Sequence, residues 1–288
     1  MRSILCLALV AAAPWMVAGQ AITPTARWGH SAALLNNNLY IVGGRSGNNG
    51  STSPLASEHF VLSMDVSQPF DTKFPPWMLV DTPGNKPDPM MDGVVEVDTK
   101  NGRLILFGGL GAQTSQSNAV WTLRPTSRSW SSDSNGNGPT PRRGNAGSAS
   151  VNNDLYVYGG VSSDSSARTD KFNDLYSLDK SSLTWTNHKK ATGNNSAPYQ
   201  HTLSYVPGRK LLVSIGGTGD NNLVPMDQIN WYNLEQDVWG TDTARGDIPS
   251  PRREHSAVVA GERIIVFGGC NTDYTTFYND VAVLDTTT

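Results

Sequence analysis

Five histidines are the side chains of this sequence best suited to proton transfer or metal ligation: His30, His59, His188, His201 and His255. Their spacing writes neither His-x-His nor His-Glu-x-x-His, so no local zinc motif is present. His30, His201 and His255 open similar stretches, His-Ser-Ala, His-Thr-Leu and His-Ser-Ala. Such a set could face a common axis. The reading we favour is structural: three side chains bonded to neighbouring backbone, placed there by a repeat. Arginines recur beside them at Arg27, Arg142, Arg143, Arg252 and Arg253. A planar guanidinium fork suits carboxylates, so these five are the candidate binding residues; they could equally tie one repeat to the next. Asp133-Ser-Asn135-Gly-Asn137-Gly138 matches the first half of a calcium loop, but Gly144 stands where the bidentate Glu belongs, which leaves a polar turn. Gly216-Gly217-Thr218-Gly219 lacks the Lys-Ser/Thr and the helix of a phosphate loop. No catalytic residue, metal or cofactor is assigned.

The elements that would position these side chains come from an internal repeat. Five Gly-Gly pairs each close a short apolar run: Gly43-Gly44, Gly108-Gly109, Gly159-Gly160, Gly216-Gly217 and Gly268-Gly269. They lie roughly 50 to 65 residues apart, the period of a propeller blade. A second short strand precedes each pair, beginning at His30, Gly93, Gly147, His201 and His255, and turns such as Asn36-Asn37-Asn38 and Asn152-Asn153-Asp154 join the two. A third strand follows, as in Asp174-Leu-Tyr-Ser-Leu178, and a fourth is marked by Trp77, Trp130, Trp185 and Trp239. Each repeat therefore encodes a four-stranded antiparallel meander. Apolar runs without alternation indicate sheets covered on both faces. The glycines allow close approach of a neighbouring backbone, and the aromatic rings fill a wedge that widens outward.

These features resemble the kelch-repeat family. The best matches are Arg27-Trp-Gly-His30-Ser31, Arg252-Arg-Glu-His255-Ser256, Asn173-Asp-Leu-Tyr176 with Trp185, and Asn279-Asp280-Val281. Gly93 and Ala146 replace the histidine in the second and third repeats, so the histidines form no complete ring of ligands. The resemblance implies an all-β propeller of four-stranded antiparallel blades. Five repeats are visible, at about 27–80, 90–133, 141–188, 198–242 and 251–288. The last is incomplete, because no Trp follows Leu284, and the family's six or seven blades imply further sequence. There is a distant resemblance to the propeller of galactose oxidase. Its copper site would need a tyrosine cross-linked to a cysteine; Cys270 is the one candidate, and no motif supplies the other ligands.

The N-terminus carries a different signal. Arg2, the apolar run Ile4 to Val17, and Val17-Ala18-Gly19 predict a signal peptide of residues 1–19, with the mature chain beginning at Gln20. Export to the extracellular space or cell surface follows; removal of Cys6 leaves Cys270 alone, either buried and inert or with its partner outside this sequence. Asn49-Gly-Ser51 and Asn194-Asn-Ser196 are glycosylation sequons in polar stretches. A net charge of −3 gives no reason to expect nucleic acid as partner. Long Ser/Asn/Gly-rich segments follow the Gly-Gly strands and should emerge on one face. The expectation is a module that binds a protein or glycan through that face, with membrane attachment only through a downstream span. The alternative is an exported carbohydrate-active or oxidase-like enzyme whose remaining site lies outside this sequence.

Overall fold

The computed structural model describes residues 22–46, 60–111, 119–133, 138–140, 142–162, 170–191, 198–220 and 222–287. The expected signal peptide, both sequons, His59 and much of the first three long loops lie outside them.

The described elements are all strands, paired antiparallel. Blade 1 comprises Ser31–Leu35, Asn38–Val42, Val61–Asp65 and Met78–Leu79. Blade 2 comprises Met90–Asp98, Arg103–Gly111, Val120–Arg124 and Ser129–Asp133. Blade 3 comprises Gly147–Val151, Asp154–Tyr158, Leu175–Asp179 and Thr184–Asn187. Blade 4 comprises Thr202–Val206, Leu211–Ile215, Gln228–Asn233 and Val238–Thr243. Blade 5 is a three-stranded sheet of Ser256–Ala260, Arg263–Phe267 and Val281–Asp285. The sheets are the blades of a β-propeller, each a meander of strands adjacent in sequence.

The turns follow from their residues. Leu35 pairs with Asn38 across Asn36-Asn37, both at positive φ (50° and 60°), the geometry that matches strand twist in a two-residue hairpin. Asparagine enters this region at low cost because its short amide bonds locally.

The core lies between blades. Val42, Val61, Leu104, Leu106 and Trp130 pack blade 1 on blade 2. Equivalent clusters join blades 2 and 3 around Phe107, Leu155 and Trp185, and blades 3 and 4 around Tyr158, Leu212 and Tyr232. Ile215, Ile229, Ile264 and Val266 join blades 4 and 5. Phe107 and Trp185 stand 4.8 Å apart edge to face, and Tyr158 and Trp239 4.5 Å. Trp77 differs: it sits just before the short fourth strand of blade 1 and bridges Ile22.

The first glycine of a pair is the point of closest approach between blades. A Cβ on Gly159 would stand 2.3 Å from the Pro198 carbonyl oxygen of blade 4, and Gly159 has φ +67°. Gly160 N–H donates to that same carbonyl at 2.8 Å. Gly44 N–H to Met90 O and Gly217 N–H to Arg252 O repeat the bond, at 2.8 and 2.9 Å. The second glycine instead faces its own blade: a Cβ on Gly44 or Gly269 would meet the Cβ of His30 or His255 at 3.0 Å.

Candidate binding face

At or just ahead of the start of each first strand the chain makes a left-handed step. Gly29, Asp92, Asn145, Gln200 and Glu254 occupy that step with φ of 64°, 55°, 56°, 58° and 58°. Reversing the backbone there turns each N–H toward the preceding blade. Asp92 N–H donates to Gly29 O at 2.7 Å, Asn145 to Asp92 at 3.0 Å, Gln200 to Asn145 at 2.9 Å and Glu254 to Gln200 at 3.0 Å. A chain of main-chain bonds thus runs through the five blades at one end of their inner strands. Gln and Glu enter the left-handed region less readily than Gly, Asn or Asp, so these two positions carry strain held by the surrounding structure.

The short pairings beyond the Gly-Gly pairs lie at the same end. Arg27–Trp28 pairs with Arg45–Ser46, and Arg143–Gly144 with Val161–Ser162. Single bridges Tyr199 to Thr218 and Arg253 to Cys270 take their place in blades 4 and 5. Here cations lie over rings: Arg45 over Trp28 at 6.0 Å, Lys171 over Tyr199 at 5.6 Å and Arg253 over Tyr274 at 4.3 Å. Arg253 also donates to Gln200 Oε1 at 3.3 Å and to Thr272 O at 2.6 Å. Glu254 accepts from the Tyr274 hydroxyl at 2.9 Å and from the Gln200 amide. Burial, and then the bond to Glu254, push the Tyr274 hydroxyl up to about 12, so it is a donor at neutral pH. Lys171 reaches across to the Gly219 and Asp220 carbonyls, tying the blade 3 loop to the blade 4 loop. Beside Asp220 an open cleft is lined by Asn222, Leu223, Val224, Pro225 and Gln228.

The five arginines separate into different environments. Arg143 and Arg252 are buried to 1 % exposure. Arg143 forms a two-pronged ion pair with Asp174, donates to Gly159 O at 3.2 Å and lies 4.0 Å from the Phe172 ring centre. Arg252 repeats this with Asp280 at 2.6 and 2.9 Å, Gly268 O at 3.0 Å and Tyr278 at 4.2 Å. These two guanidinium groups are committed within their own blades. Arg27 donates to Gly43 O at 3.2 Å, the same carbonyl position. Arg142 donates to Gly108 O at 3.0 Å, across the boundary between blades 2 and 3. Arg253 is itself largely buried, at 9 % exposure, and alone of the five stacks on an exposed ring beside the chain of left-handed steps.

The repeated histidines lie at blade boundaries. His201 and His255 are buried, and His255 Nε2 shares a 3.0 Å hydrogen bond with the Thr202 hydroxyl of blade 4. His201 packs against Gly147 of blade 3 and stands edge-on to Tyr158, with ring centres 5.4 Å apart. Burial, reinforced by His255, drops His201 to about 3; burial, reinforced by Arg252, drops His255 to about 4. Burial, with Arg27 adding, lowers His30 as well. His188 sits farther out, sharing a 2.8 Å bond with Ser177. Cys270 is free and buried, its thiol raised mainly by burial and then by Glu254. Among the described residues no three His, Cys, Asp or Glu side chains gather as a metal site, and no helix is long and apolar enough to cross a membrane. Sequence reasoning missed Trp28, Arg45, Lys171, Tyr199, Gln200, Glu254 and Tyr274. The usable signal was positional, since Arg45 directly follows a Gly-Gly pair and Trp28, Tyr199 and Arg253 share one position in the repeat.

The KLHDC2/KLHL20/DRC7 Kelch-repeats domain family matches residues 29–269 and 200–288. Tip elongation aberrant protein 1 of Schizosaccharomyces pombe is 33% identical over 183 residues, which are 62% of this chain and 15% of that protein. Acyl-CoA-binding domain-containing protein 4 of Arabidopsis thaliana is 26% identical over 85% of this chain and 35% of its own length. Kelch domain-containing protein 10 of Rattus norvegicus is 26% identical over 86% of this chain and 60% of its own length. The chain thus spans less than two thirds of each of these relatives.

Proposed function

Because this chain belongs to the kelch-repeat family of β-propellers, whose fold serves as a protein-binding scaffold, we propose that it is an exported recognition module that grips a protein ligand with the face bearing Trp28, Tyr199, Arg253 and Tyr274. The observation that carries the reading is the set of three cation-over-ring pairs at one end of the blades. Trp, Tyr and Arg are the residues that concentrate binding energy at interfaces, and a rigid scaffold displaying them loses little entropy on binding. Arg253, only 9 % exposed and fixed by Gln200 and Thr272, holds the exposed Tyr274 ring in place before any ligand arrives. The ligand chemistry that fits is a segment offering carboxylates and apolar side chains. Glycan recognition is the other form of this reading, since exposed rings also suit sugar faces.

The test is retention of extracellular material on immobilised protein, read by cross-linking and mass spectrometry. Trp28→Ala and Tyr274→Ala should each weaken retention roughly tenfold or more, with unchanged circular dichroism. Lys100→Ala, an exposed change in the strand turn at the opposite end, should leave it intact. Protease treatment of the extract should abolish retention. Survival of protease with loss on deglycosylation would favour the glycan form, and indifference to both face variants would refute the proposal. Export rests on Arg2, Ile4–Val17 and Val17-Ala18-Gly19. Secreted protein should begin at Gln20, and N-terminal sequencing that reads Met1 would overturn it.

A further inference from the structure

The third strand of each blade ends on one repeat position, occupied by Asp65, Arg124, Asp179, Asn233 and Asp285. In four of these five the side chain carries an oxygen that caps the turn after it. Asp65 accepts from Ser67 N–H at 2.8 Å, and Asp179 from Ser181 and Ser182 N–H at 3.0 and 2.7 Å. Asn233 accepts from Glu235 and Gln236 N–H at 2.9 and 3.0 Å, and Asp285 from Thr287 N–H at 2.9 Å. Hydroxyls of the same turns join in: Ser182 Oγ donates to Asp179 at 2.9 Å and Thr287 Oγ1 to Asp285 at 2.6 Å. Successive N–H groups that converge in a turn make a concavity suited to negative charge. The three carboxyl groups register it. The Ser67 hydroxyl and N–H hold Asp65 below the usual carboxylate range, Ser182 N–H does so for Asp179, and the Thr287 hydroxyl and N–H do so for Asp285.

Blade 2 reverses the charge at this position and keeps the donors. Arg124 has no acceptor to offer, and its guanidinium donates instead to the Asn101 carbonyl at 3.1 Å. Thr126 and Ser127 stand two and three residues after Arg124, as Ser181 and Ser182 stand after Asp179. Their N–H groups meet no acceptor among the described residues. Arg124 and Arg128 are both exposed, and neither forms an ion pair among the described residues. Exposed cations at this end of blades 4 and 5 are matched, Lys210 with Glu235 and Arg263 with Asp285. Blade 2 is packed between blades 1 and 3, so the exposure belongs to the turn itself.

We propose that the turn Arg124 to Ser129 binds a tetrahedral oxyanion, a sulfate or phosphate ester group carried by a ligand, in the place where the other blades supply an oxygen from within. Thr126 and Ser127 N–H donate to it, and Arg124 and Arg128 balance its charge. A tetrahedral ester offers three free oxygens, enough for main-chain donors on one side and a planar guanidinium fork on another. The protein's net charge is −3, so affinity comes from this local donor set and not from the field of the whole molecule. The site lies at the end of the blades opposite the face proposed above, and either can fail without the other.

The experiment titrates isotope-labelled protein, the full 288-residue chain, with sodium sulfate and with sodium phosphate. Sodium chloride holds the ionic strength constant, and amide resonances are followed. Thr126 and Ser127 should shift saturably with one or both anions. Arg124→Ala should weaken that binding roughly tenfold or more, the loss expected for one charge-assisted contact. Arg124→Asp restores the internal cap, so it should abolish the shifts and raise the thermal midpoint in chloride alone. Should that variant not fold, Arg124→Ala beside the unaltered protein still decides. A sulfated heparin tetrasaccharide and O-phosphoserine then separate the sources: tighter binding of the first assigns a sulfated glycan, of the second a phosphorylated protein, and each keeps the site. Absence of shifts at Thr126 and Ser127 overturns the proposal. So do shifts that Arg124→Ala leaves unchanged, sulfate binding that survives Arg124→Asp, or a stronger response to acetate than to sulfate and phosphate.

Discussion

Arg143 and His201 are both buried at blade boundaries, and the interior treats them in opposite ways. Arg143 keeps its charge because Asp174, the Gly159 carbonyl and the Phe172 face surround it. Asp174→Ala should therefore cost about 3–5 kcal/mol in urea unfolding, the penalty of an uncompensated buried guanidinium. Asp280→Ala should cost distinctly less, because Asp280 is half exposed and water can replace it. Equal costs would contradict this account. His201 has no counter-charge and stays neutral. Its value near 3, and that of His255 near 4, lie below the ordinary 6.5 that the unfolded chain retains. Below pH 6.5 the unfolded state thus binds protons that the folded state refuses. Stability is full above that pH and falls toward pH 4 by roughly 1 kcal/mol per pH unit for each histidine. His201→Asn should lower stability at pH 7 yet flatten the slope between pH 6.5 and 4, leaving the part that His255, His30 and His188, all lowered by burial, still supply. An unchanged slope would assign the acid sensitivity elsewhere. Asp98 adds to the loss only at lower pH: burial raises it, but bonds from Asn101 and Arg103 outweigh this and hold it below the usual carboxylate range.

At the scale of the blade, the Gly-Gly pair separates two costs that glycine usually mixes. Gly159 and Gly268 share the left-handed conformation, with φ of +67° and +70°. A Cβ at Gly159 would collide with Pro198 O at 2.3 Å, while at Gly268 the nearest atom is Tyr278 O at 3.5 Å. Gly268→Ala should cost the conformational term alone, about 1–2 kcal/mol. Gly159→Ala should cost clearly more, because the blades must part or the carbonyl must shift and lose the Gly160 bond. Thermal midpoints of the two variants make the comparison, and a cost at Gly268 equal to that at Gly159 would remove the inter-blade clash from the explanation.

For the molecule as a whole, stability should grade along the chain of blades. Among the described residues, blades 2, 3 and 4 are each packed between two neighbours, whereas in blade 5 Val258, Phe267, Val281 and Val283 are exposed. Fewer buried contacts mean lower local opening free energy. Amide exchange should therefore be fastest in Ser256–Ala260 and Val281–Asp285 and slowest in Arg103–Gly111 and Asp154–Tyr158. Uniform protection across the five blades would show a cooperativity that this packing does not provide.

The repeat, the strands and the close approach at Gly-Gly could be read from the amino acids because each depends on local pattern. Asn-Asn turns, apolar runs and the spaced tryptophans are written within a few residues and recur in register. The proposed binding residues were not legible in the same way. Arg252 and Arg253 are neighbours in sequence and both are buried, yet one is clamped to Asp280 within its blade and the other packs under the exposed Tyr274 ring. In extended chain adjacent side chains point to opposite sides, so a pair of identical residues must divide, and only the register of the fold says which partners each one meets. Likewise the partners that settle the matter, Asp174 for Arg143 and Gln200 for Arg253, come from 31 and 53 residues away. The chain of left-handed steps through five blades exists only when the blades stand side by side, because each of its bonds joins residues of two neighbours.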